Sequence, residues 1–147
     1  MPEIESIKAT VNKRAKYAYD CVKKVKENED KKVGGYYKSY SKRLMALIKT
    51  NGLAMTLAFM KSSKNKSNGE AGKAYNLLYR DIDNWLKSPD CPVNALYNKY
   101  QEKDMIERVV SFDSYYYRII TKEVMEFINW VRRFAEGMII DDSDSKN

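Results

Sequence analysis

Pro2, Pro89 and Pro92 are the only prolines in the chain, and this sparing use of helix breakers limits the possible folds more than any other feature. Proline inside a helix removes a hydrogen bond and clashes with the preceding turn, so its absence between positions 3 and 88 leaves room for long helices. Apolar periodicity fills that room. Ile4, Ile7, Val11, Ala15, Ala18, Val22 and Val25 recur at three- and four-residue steps, one stripe on a helix running to about Glu29. Residues 28–35 read as a polar turn ending in Gly34 and Gly35. The pattern resumes at Tyr36, with Tyr37, Tyr40, Leu44, Leu47 and Ile48 turned inward, and Asn51-Gly52 ends that helix because both residues tolerate positive φ.

Residues 53–60 are apolar almost all round, the mark of a helix enclosed by others. Residues 61–72, rich in Lys, Ser, Asn and Gly, read as a loop, with Ser67 and Glu70 at capping-box spacing before the next helix. Ala71, Ala74, Tyr75, Leu78, Ile82, Trp85 and Leu86 mark that helix, which Pro89 and Pro92 stop. Two short helices are expected over 93–100 and 105–110. A long one begins at Asp113 or Ser114, carries Tyr117, Ile120, Val124, Phe127, Ile128, Val131, Phe134 and Ala135 inward, and is capped at Gly137. No strand pattern survives. The expected fold is all-α, a single compact bundle of about six helices over residues 1–137, followed by an acidic, disordered tail over 138–147.

Charge is unevenly spread along the 147 residues. Residues 1–66 hold sixteen Lys and Arg against six Asp and Glu, whereas residues 67–147 hold eleven against fourteen, and the net charge is +7. Such asymmetry points to a polyanionic partner, nucleic acid first, with a solvated lysine-rich surface as the alternative. The N-terminus is charged from Glu3 and has no apolar centre of a signal peptide, and no run of about 18 apolar residues is present, so a cytoplasmic protein without membrane contact is expected.

Catalytic chemistry finds little to work with. Histidine is absent, which removes Ser-His and Cys-His nucleophile pairs and the usual neutral-pH proton shuttle. Cys21 and Cys91 are two isolated thiols that read as small buried apolar groups, and no metal site or cofactor is expected. Asp81 and Asp83 stand two apart on a helix and diverge. Glu123 and Glu126 share a face, as solvated or cation-matched pairs commonly do. A non-enzyme without a small-molecule substrate is the resulting expectation.

Binding residues are easier to nominate. Lys38, Lys42 and Lys49 share roughly one helical face, Arg43 lies about a hundred degrees from Lys42, and Lys61, Lys64 and Lys66 add a lysine loop. Arg132 and Arg133 flank the last apolar stripe, where Glu136 or Glu126 can pair with them instead. Tyr36 and Tyr115 fall off the apolar stripes and are the tyrosines expected to reach solvent. None of these spacings reads a base, so the expected contact is with phosphates and independent of sequence.

Two segments carry a family likeness. Residues 37–59, YKSYSKRLMALIKTNGLAMTLAF, closely resemble the central signature of the small all-helical subunit of the type III-B CRISPR (Cmr) effector complex. That signature has a basic approach, an Asn-Gly-Leu turn and a Thr-Leu-Ala-Phe helix. Residues 117–123, YRIITKE, with 127–136, FINWVRRFAE, resemble its closing helix. Met45 departs from the pattern, in which proline follows the leucine. The resemblance implies a non-catalytic subunit stacked along the guide–target path beside the backbone and large Cmr subunits and neighbouring small subunits. Its RNA partners would be crRNA and target RNA. A protein–protein adaptor without RNA contact, and the small subunit of a type III-A complex, remain open beside it.

Overall fold

The computed structural model describes residues 2–66 and 69–140, with the side chains of 2–5 and 64–66 left out. The described residues form seven helices and no strand: α1 (Pro2–Lys26), α2 (Lys31–Asn51), α3 (Leu53–Lys66), α4 (Glu70–Lys87), α5 (Asn94–Tyr97), α6 (Met105–Ser111) and α7 (Ser114–Met138). A 3-10 turn, Asn98–Tyr100, follows α5. Helix α1 lies along α7, α2 sits between α4 and α7, and α3 packs on α4 with α6 beside it. The all-α bundle expected from periodicity is the fold that forms.

Trp85 anchors the core. It is fully buried, stacked on Phe127 at 5.7 Å and flanked by Tyr17 at 5.2 Å. The inward stripes of α4 and α7 are buried as expected from Ala74 to Leu86 and from Ile120 to Ala135, except that Phe134 is half-buried, as are Ala71 and Tyr117 at the heads of the two stripes. The α1 stripe holds only in its second half: Ala18, Val22 and Val25 are buried, whereas Ile7 is 63% exposed. Cys21 and Cys91 are buried free thiols, as expected.

Four boundaries differ from the periodic reading, each for a local reason. Helix α2 begins at Lys31, because the Asp30 side chain accepts from the Lys32 N–H at 3.1 Å and so caps the helix one turn earlier. Gly34 and Gly35 thus lie inside the helix. A Cβ at Gly34 would stand 3.4 Å from Ile139 Cγ2, an ordinary contact with the residue that follows α7. Helix α3 continues to Lys66 instead of yielding to a loop at 61, since Lys, Ser and Asn do not break a helix already packed on its neighbours. The expected Ser67 cap lies outside the described residues, and Gly69 precedes α4 without a side-chain cap.

Helix α3 is also less enclosed than expected. Leu53, Leu57 and Met60 are buried, but Met55 and Phe59 are exposed at 64% and 42%. At the far end, Gly137 is helical and the cap is Ile139, whose N–H reaches the Ala135 carbonyl at 3.0 Å. Ile139 is itself buried, which carries the packed body past residue 137. The acidic tail expected beyond it falls, from residue 141 on, outside the described residues.

Candidate nucleic-acid interface

The rotation of α7 is set from its inner side. Arg14 of α1 donates from Nε and Nη2 to the two carboxylate oxygens of Glu123, both at 2.7 Å, and Trp85 Nε1 donates to the same carboxylate at 3.0 Å. Both partners are nearly closed to water. The hydrogen bond to Glu123 is the main reason that the Arg14 pKa lies above its ordinary value. Arg14 lies between Lys13 and Lys16 in sequence but points inward, because the Glu123 carboxylate accepts two of its N–H groups.

With Glu123 held against α1, the opposite edge of α7 faces α2 across an open groove of about 530 Å³. Met45 and Lys49 come from α2, and Tyr117, Arg118, Thr121, Lys122, Met125, Glu126, Asn129 and Arg132 from α7. Four cations thus line a groove with one carboxylate. Lys49, Arg118 and Lys122 have no hydrogen-bond or ion-pair partner among the described residues. Arg132 donates to Asn129 Oδ1 at 2.8 Å and stands 3.5 Å from Glu136.

Tyr117 closes one part of the groove. Its hydroxyl accepts from the Ala54 N–H at 3.0 Å, the first turn of α3. The joint before it, Gly52, has φ 84° and ψ 165°. A Cβ there would come within 3.2 Å of the same hydroxyl oxygen. The Asn51-Gly52 break expected from sequence is therefore real and is fixed by a side chain 65 positions further on.

The nominated cations separate. Lys49 and Arg132 meet in the groove. Lys42 is exposed, and helical spacing puts it on the same side of α2 as Lys49. Lys38 is a correction: it is buried, and its Nζ donates to the Ile139 carbonyl at 3.0 Å, where a cation suits the negative end of α7. Arg43 does not extend the lysine face but lies over the Tyr40 ring, 5.9 Å from its centroid. Tyr36 stacks on Tyr40, and Tyr40 on Tyr75 of α4 at 3.8 Å, so Tyr36 and Arg43 belong to the α4 side.

Lys61 lies on α3 and pairs with Asp104 at 2.9 Å. The side chains of Lys64 and Lys66 lie outside the described residues. Arg133 is exposed, one step round from Arg132. Arg118 and Lys122 were missed, although their spacing with Met125, Asn129 and Arg132 (four, three, four, three) draws one line along α7.

The carboxylates behave as internal groups. Asp81 and Asp83 diverge as expected: Tyr37 donates to Asp81 at 2.8 Å, and Tyr97 to Asp83 at 2.6 Å. Burial pushes the Asp81 pKa up to about 6 against the opposing hydrogen bonds from Tyr37 and Cys21.

These features define an all-helical domain with a basic, methionine-lined groove on one flank. A family model described as CRISPR-associated protein (Cas_Cmr5) matches residues 10–138. The chain belongs to that family, the small subunit of type III-B CRISPR complexes.

Proposed function

We propose that this chain is a non-catalytic subunit that stacks along the guide–target path of a cytoplasmic type III-B ribonucleoprotein in antiviral defence and holds target RNA by its phosphates. The observation that carries this reading is the groove in which Lys49, Arg118, Lys122 and Arg132 face a single carboxylate, Glu126. Lysine and arginine without protein partners gain most from phosphate, since each contact releases a counterion and leaves no internal ion pair broken. Met55 and Phe59, apolar and exposed on α3, favour contact with a neighbouring protein subunit on a separate face.

The test is a reconstituted complex carrying Lys49→Glu, Arg118→Glu and Lys122→Glu together. Target-RNA retention is expected to fall about tenfold or more near physiological salt, with a shallower salt dependence. Full retention by a complex that has incorporated the altered subunit would instead favour an adaptor without RNA contact. Lys38 is left out of that variant, because a carboxylate there would be buried against the Ile139 carbonyl.

A further inference from the structure

Tyr115 stands at the head of the basic line on α7, and Tyr116 next to it is turned about a hundred degrees round the helix. Tyr115 is 59% exposed and Tyr116 42%, among the most exposed aromatic side chains described. Their rings meet edge to face, 5.3 Å between centroids and 73° between planes, which steadies each ring and leaves faces open to solvent. Helical spacing puts Tyr115 in register with Arg118 and Lys122, at steps of three and seven. From Tyr115 to Arg132 the line runs about 26 Å along the helix axis, enough for several nucleotides.

No packing role accounts for rings so exposed. The neighbours of Tyr115 in the line are cations, which argues against a cationic or purely apolar occupant and for a ligand that is both anionic and flat. We propose that Tyr115, braced edge to face by Tyr116, stacks on unpaired bases of the strand whose phosphates lie along Arg118, Lys122 and Lys49, so that this face takes single-stranded RNA in preference to a duplex. The proposal rests on the phosphate reading above and adds to it the state of the strand. Bases inside an A-form duplex are stacked on one another and closed to a side chain, whereas a single strand offers every base face.

The experiment uses the full-length protein at low ionic strength and three probes of equal length: a single-stranded RNA, its abasic backbone, and an RNA duplex. The ordinary single strand is expected to bind about fivefold or more tightly than either of the other two. The Tyr115→Ala, Tyr116→Ala variant is expected to lose that preference while keeping its affinity for the abasic backbone, and Tyr115→Phe, Tyr116→Phe to keep it. Equal affinity of the wild-type protein for the ordinary and abasic strands overturns the stacking and leaves the phosphate groove intact. That comparison needs no variant to fold. If no probe shows salt-sensitive binding, the phosphate reading fails and the stacking with it. If the alanine variant binds all three probes like the wild type but no longer enters the complex, the tyrosines face a protein, and the proposal is overturned.

Discussion

Arg14 and Glu123 meet across 109 positions of sequence and form a buried, two-pronged ion pair. Taking away one partner leaves the other charged and unsolvated. Arg14→Ala is therefore expected to lower stability by about 3–5 kcal/mol in urea unfolding, whereas replacing both residues by apolar ones of similar volume costs far less. Asp81 gives a pH signature of the opposite kind. Its carboxyl holds a proton more tightly in the folded chain, at about 6, than at its ordinary 3.8. Folded protein thus binds more protons between those values, and stability falls as pH rises from about 4 to 6. Asp81→Asn is expected to remove that part of the slope, raising the melting temperature at pH 7 relative to wild type more than at pH 4. Neither role is visible in sequence. Arg14 lies among outward lysines, and the partners that turn Arg14 and Asp81 inward come from other helices.

At the scale of elements, the α2–α3 joint is the most legible feature and the α1–α2 turn the least. Asn-Gly announces a break by itself, and Gly52 does adopt a conformation reserved for glycine. Gly52→Ala is expected to cost about 1–3 kcal/mol from backbone strain, before any displacement of Tyr117. Tyr117→Phe removes the acceptor for Ala54 N–H and is expected to cost about 1 kcal/mol, read by thermal or urea unfolding. Gly34-Gly35 looks like an equally clear break and is not one. Helix α2 runs through it because Asp30 caps the chain one turn earlier and the helix then packs in the folded core, with Ile139 at ordinary contact distance from a Cβ at position 34. The end of α7 is likewise made by the fold, where Lys38 donates to the Ile139 carbonyl just past Gly137, the position at which the cap was expected.

Over the whole molecule, the sequence places its surplus of cations in the first 66 residues, yet the groove draws Arg118, Lys122 and Arg132 from the half that is net negative. The acidic groups of that half explain the discrepancy. Glu123 holds Arg14, Asp104 and Asp113 cap α6 and α7, and Asp83 is engaged by Tyr97 and Lys87. With these carboxylates occupied inside the fold or at helix ends, the arginines and lysine of α7 face outward almost unopposed. Total charge is then a poor guide to the binding face. A Lys8→Glu, Lys23→Glu, Lys24→Glu variant, with the same change in net charge as the groove variant, is expected to keep most of the target-RNA retention that the groove variant loses. All three lysines are exposed on α1, away from the groove.

Tyr117 joins two of these features. Its ring is part of the groove wall, and its hydroxyl holds the first turn of α3, the helix that displays Met55 and Phe59. One phenol therefore belongs to both flanks of the subunit, as wall of the basic groove and as acceptor for the first turn of the helix that shows its apolar residues, and a substitution at position 117 touches the two at once.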